Sequence, residues 1–139
     1  GTEAPHQVVG MAKALELSYE DLNKDRETIT ALRNYCKSKL EETFEGVSFN
    51  GNGAAFYNVL NIRLPFSPEK AAMILFSLDM KGIAVSRGSA CQSGSQKPSH
   101  VLAEFLSGEE LLRPSLRLSF GHENTKEEID YLIDVLKSV

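Results

Sequence analysis

Tryptophan is absent from this 139-residue chain, and cysteine occurs only twice, as Cys36 and Cys91. Two cysteines in very different settings make no disulfide framework, so a fold stapled by bridges is excluded and a hydrophobic core must do the work. At 42% hydrophobic residues the chain is long enough to bury one, and residues 1–139 read as a single domain. Runs of Lys or Arg are also lacking, and the formal net charge is −4. A surface built for nucleic acid or an anionic membrane is therefore not suggested. No apolar stretch nears the length of a membrane span, and no signal-peptide pattern opens the chain, which points to a soluble, cytoplasmic protein. Internal repeats and low-complexity tracts are missing too. So is an initiator methionine: "GTEAPHQVVGMAKAL" runs almost at once into helical periodicity. That opening reads as a piece excised from something longer, with a processed terminus or a tag remnant as alternatives.

What is present is a mixed order of helices and strands. Val8, Met11, Ala12 and Leu15 mark one amphipathic helix. Ser18, with Asp21 three residues on, predicts the cap of a second, longer helix whose apolar face is Leu22, Ile29, Leu32, Cys36, Leu40 and Phe44. Cys36 lies one turn from both Leu32 and Leu40 and reads as a buried thiol packing as a small hydrophobe. A turn signal, "NGNG" at Asn50 to Gly53, precedes "NVLNIRLP", where Leu60, Ile62 and Leu64 alternate with Val59, Asn61 and Arg63. This is a half-buried strand stopped by Pro65. Ser67-Pro68 opens a helix with Ala71, Ile74, Leu75 and Leu78 on one face and Gly82 at its end.

"IAVS" from Ile83 reads as a short strand, and Ser99 caps a brief helix through Leu106. In "SLRLS", Leu116 and Leu118 face one way and Arg117 the other. Thr125 and Glu128 form a capping box for a helix striped by Ile129, Leu132, Ile133 and Leu136. The fold class that follows is α+β, a small mixed or antiparallel sheet with helices packed on one face.

The chemistry gathers around Cys91. It sits in "IAVSRGSACQSGSQKPSH", among Gly88, Gly94 and five serines, residues that pack poorly and let the backbone move. A nucleophile needing one fixed geometry belongs on a rigid element. A tether suits a thiol that collects a group in one place and delivers it in another. Arg87, four residues earlier, is a cation that could favour the thiolate. The composition alone is equally compatible with an ordinary exposed cysteine. His6, His100 and His122 show no metal-ligand spacing with each other or with the cysteines, so no metal site is expected. A hydrolytic dyad of Cys91 with His100 lacks an orienting group.

"GIAVSRGSACQSGSQKPSHVL" followed by "LRPSLRLSFGHENTKEEIDYLIDVL" resembles the C-terminal, small domain of cysteine desulfurases of the NifS/IscS type. These are class V, fold-type I enzymes that use pyridoxal 5′-phosphate. The opening segment resembles the place where that family's chain leaves its large domain, so the likeness runs nearly end to end. It implies an enzyme that converts L-cysteine to L-alanine and a persulfide on Cys91, whose outer sulfur passes to an acceptor protein. Iron–sulfur scaffolds and thiolation relays are both implied as acceptors. Arg117 matches the arginine that grips the substrate carboxylate through two parallel hydrogen bonds. Thr2 matches a threonine that, in the family's homodimer, bonds the cofactor phosphate of the neighbouring subunit.

The family anchors its cofactor on a lysine directly following a histidine, and no lysine here follows one. The large, cofactor-binding domain is therefore expected to lie outside this chain, and the chain alone to be inactive. Arg87 is a departure from the family's usual Ser or Thr. The competing reading is a non-catalytic sulfur carrier or interaction module that reuses the domain.

Overall fold

The computed structural model describes residues 2–51, 56–87 and 99–139. The described residues form, in chain order, α1 (Pro5–Thr43), β1 (Ser48–Phe49), β2 (Val59–Arg63), α2 (Pro68–Asp79), β3 (Ser86–Arg87), α3 (His100–Ala103), α4 (Gly108–Leu112), β4 (Ser115–Ser119) and α5 (Lys126–Ser138). The strands form one antiparallel sheet in the order β1-β2-β4-β3. The α+β class with a small antiparallel sheet is as the sequence predicts. The second half of the "NGNG" signal, Asn52 and Gly53, lies outside the described residues, as does the side chain of Ala71.

The first two expected helices are one. α1 runs unbroken for 39 residues. Ser18 does not start a helix; its hydroxyl donates to the Ala14 carbonyl, one turn back, at 2.8 Å. Serine can serve either as a cap or as a back-bonded interior residue, and no Pro or Gly between Leu15 and Leu22 forces the cap. The two halves of this helix differ sharply. Ile29, Leu32, Cys36 and Leu40 are buried in the core, whereas Met11 is 70% exposed and Val8, Leu15 and Leu22 also face out. Arg33 Nε donates to the Val59 carbonyl at 3.0 Å and Tyr35 to Asp130 at 2.8 Å, which fix the buried half to β2 and α5.

One core joins that half of α1 to Leu60, Ile62 and Leu64, to Ile74 and Leu78 of α2, to Leu116 and Leu118, and to the predicted stripe of α5. Pairing of Leu60 with Leu118 and Ile62 with Leu116 brings the apolar faces of the central strands into register. Burying each such side chain stabilises the fold by about 1.5–3 kcal/mol. The Thr125–Glu128 capping box is present in both directions, at 3.2 and 3.1 Å.

At the end of α2, Gly82 has φ +74°. Its N–H bonds the Asp79 carbonyl and that of Ile83 bonds the Leu78 carbonyl, both at 2.9 Å, a pairing that glycine permits because it tolerates left-handed backbone. The same contact explains a correction. The strand expected from Ile83 begins only at Ser86, because Ile83 spends its N–H on the helix end and cannot enter a ladder. The helix expected from Ser99 to Leu106 stops at Ala103, and α4 and the two-residue β1 were not foreseen.

Candidate functional site

Alternation along β2 and β4 sends Leu60, Ile62, Leu116 and Leu118 into the core and turns Asn61, Arg63, Ser115 and Arg117 to the opposite face. Register adds Ser86 beside Arg117 and Ser48 beside Arg63. Helices α1, α2 and α5 thus cover one side of the sheet, and a polar patch, reached by Glu110 of α4, occupies the other.

Arg117 stands in the middle of that patch, half-buried, on the second central strand. Asn61 is its direct partner on β2, with Cβ atoms about 5 Å apart in such pairs. Among the described residues no hydrogen bond or ion pair engages the Arg117 guanidinium. A planar, permanently charged fork left open on a polar face has the geometry to accept a carboxylate or another flat anion.

The neighbouring arginine is the opposite case. Arg63 is only 8% exposed and its Nη1 donates to Asn50 Oδ1 at 3.2 Å, with Nη2 3.4 Å from Glu110 of α4. Asn50 Nδ2 then donates to Asn61 Oδ1 at 3.0 Å and to Ser115 Oγ at 3.1 Å. Among the described residues, Nε of Arg63 is buried without a partner. Sequence reasoning placed Arg63 on a polar strand face and did not foresee its burial. Two alternating strands each offer a polar set, but their register, which joins Asn61 to Arg117, is not written in either one.

Arg87 pairs across from Leu116 and so lies on the helix side of the sheet, away from Arg117. Partial burial pushes its guanidinium pKa down. Cys91, the candidate sulfur acceptor, lies outside the described residues, four positions beyond Arg87. Cys36 is fully buried as predicted, and desolvation pushes its thiol up to about 12.

Thr2 is exposed ahead of α1 and is not brought to Arg117. From Pro5 to Arg33, where α1 is bonded to β2, the helix spans about 42 Å at 1.5 Å per residue. His122 lies 3.7 Å from Asp25 on the surface, and no group of three or more His, Cys, Asp or Glu gathers among the described residues. The strand positions around Arg117 carry Asn, Arg and Ser but no lysine. This donor set fits an anion and does not fit the covalent anchoring of an aldehyde cofactor such as pyridoxal phosphate.

The profile of the family described as aminotransferase class-V matches residues 1–132. The chain belongs to that family. It is 38% identical over 141 residues to the cysteine desulfurase IscS of Dictyoglomus turgidum, and 37% identical over 139 residues to that of Pseudoalteromonas translucida. These alignments cover 100% and 99% of this chain but 35% and 33% of the relatives, so the chain spans about a third of their length. The crystal structure of a NifS-like protein from Rickettsia africae superposes with a TM-score of 0.78 at 26% identity, over 99% of this chain and 35% of that one. The chain is thus similar throughout to NifS/IscS-type proteins, and its fold is that of a part of them. Among the described residues no helix is long and apolar enough to cross a membrane.

Proposed function

We propose that this chain is the small-domain part, residues 1–139, of a pyridoxal-phosphate-dependent cysteine desulfurase. The observation that carries the reading is the open Arg117 fork on the polar sheet face, where β3 sets Ser86 across from it. From Arg87, four residues of chain reach at most about 14 Å, a length that would allow the Cys91 thiol to approach a substrate held by Arg117. Arg117 binds the α-carboxylate of L-cysteine and fixes its orientation. The Cys91 thiolate bonds to the substrate sulfur as the Cβ–S bond breaks; the electron pair of that bond stays with Cβ, which takes up a proton to give L-alanine, and Cys91 is left as a persulfide. The outer sulfur then leaves to an acceptor thiol.

Pyridoxal phosphate, anchored by a lysine in the portion of the enzyme that this chain does not span, would supply the electron sink when bound. With about 42 Å of helix between Thr2 and the sheet, Thr2 cannot serve the Arg117 of its own chain, which favours the family's arrangement of a homodimer in which it reaches the neighbour's cofactor phosphate. The sulfur-carrier alternative predicts the same loop thiol without turnover.

The test is mass spectrometry of the full-length gene product after incubation with L-cysteine. A persulfide on Cys91 together with alanine formation is expected, absent in Cys91→Ser and reached only at raised substrate in Arg117→Lys, since an ammonium cannot reproduce a two-pronged grip. No alanine, or sulfur on Cys36 instead, would overturn the reading.

A further inference from the structure

The polar network beside Arg117 has a direction. Arginine has no acceptor, so at the Arg63–Asn50 contact the asparagine must present its oxygen. That fixes Asn50 with its N–H2 toward Asn61 and Ser115, and it fills both protons. Asn61 must in turn present Oδ1 to Asn50. With Oδ1 turned toward Asn50, the part of Asn61 presented away from the network is its own N–H2. Asn61 is the residue directly opposite Arg117 on the same sheet face.

We infer that Asn61 is a second carboxylate-binding residue of this site, held donor-outward by Asn50 and Arg63 acting as positioning residues. This rests on the function proposed above and deepens it. A free asparagine can rotate its amide to present either an acceptor or a donor, and so recognises carboxylates and amides alike. One locked donor-outward favours an anion and disfavours a neutral amide that needs an acceptor for its N–H2. The burial of Arg63, with its charge partner Glu110 at the surface, makes sense as the fixed end of this chain of donors. The class of substrate it selects is the free α-amino acid, in preference to the same residue amidated or within a peptide.

Competition against L-cysteine in the full-length enzyme tests it, using L-alanine and L-alaninamide as a matched pair with and without the carboxylate. The unsubstituted enzyme should favour alanine. In Asn61→Asp the oxygen facing Asn50 is kept, while a negative charge replaces the donor, and the alanine-to-alaninamide preference should fall about tenfold or more through like-charge repulsion. In Asn50→Asp the acceptor now facing Asn61 should turn its amide over, and the preference should fall in the same direction with Asn61 itself intact. A purely structural role would weaken both ligands equally. An unchanged preference in either folded variant overturns the inference, whereas absence of turnover in the unsubstituted enzyme overturns the function on which it rests.

Discussion

Glu110 Oε1 lies 3.4 Å from Arg63 Nη2, but the two side chains are unequally buried, at 59% and 10% exposure. The pair therefore joins a screened carboxylate to a desolvated guanidinium. Glu110→Gln should cost no more than about 1 kcal/mol, because an amide oxygen still accepts and the replaced side chain is mostly in water. Arg63→Ala removes buried stem and leaves Asn50 Oδ1 without its donor, which should cost about 3 kcal/mol. Urea unfolding of the 139-residue chain checks the ordering, and equal losses would contradict it.

The two halves of α1 should respond differently to the same substitution. Leu40 is fully buried, and Leu40→Ala should lose about 2–5 kcal/mol, the range for cavities in well-packed cores. Leu15 is 59% exposed, and Leu15→Ala in this chain should stay within about 0.5 kcal/mol. Unfolding midpoints of the two variants give the comparison directly.

Cys36 makes stability depend on alkaline pH. Burial raises its thiol from near 9.0 to about 12. Above 9.0 the unfolded chain releases this proton while the folded one keeps it, so stability is complete below that pH and falls as pH rises toward 12. The slope should approach about 1.4 kcal/mol per unit of pH. Cys36→Ala should flatten the profile between pH 9 and 11. At neutral pH, alkylation of the native chain should label Cys91 quickly and Cys36 only at the rate of unfolding.

Thr125→Ala removes one half of the capping box of α5 and should cost about 1 kcal/mol. Its counterpart Glu128 has a pKa held below 4.5, first by the Asn124 amide and then by the Thr125 backbone N–H. That contribution is present above 4.5 and disappears as pH falls below it. Thermal melts at pH 7 and pH 3 should show the deficit of Glu128→Ala shrinking at the lower pH, while that of Thr125→Ala, which keeps the Thr125 N–H to Glu128 bond, stays nearly constant.

What could be read from the sequence was what neighbours in sequence decide. The capping box, the alternation through Arg117 and the stripe of α5 each depend on residues within one or two turns, and all three are as expected. Ser18 was ambiguous because the hydroxyl that caps a helix can equally bond the carbonyl four residues back. The late start of β3 follows from Ile83 bonding the end of α2, a competition between two elements that a strand pattern does not display. The site shows the same division. The strand position of Arg117 was legible from the alternation of its own segment, while the links among Asn50, Asn61 and Arg63 depend on a register set by folding.

The long first helix has a consequence in phase. Each residue of an α-helix turns the chain by about 100° and advances it 1.5 Å. Deleting a single residue between Pro5 and the buried stretch that begins at Ile29 would leave every core contact intact, yet swing Thr2 by that angle to another side of the axis. Substitutions along this exposed length should be borne easily and changes in its length should not, so the spacing of the segment carries more information than its side chains.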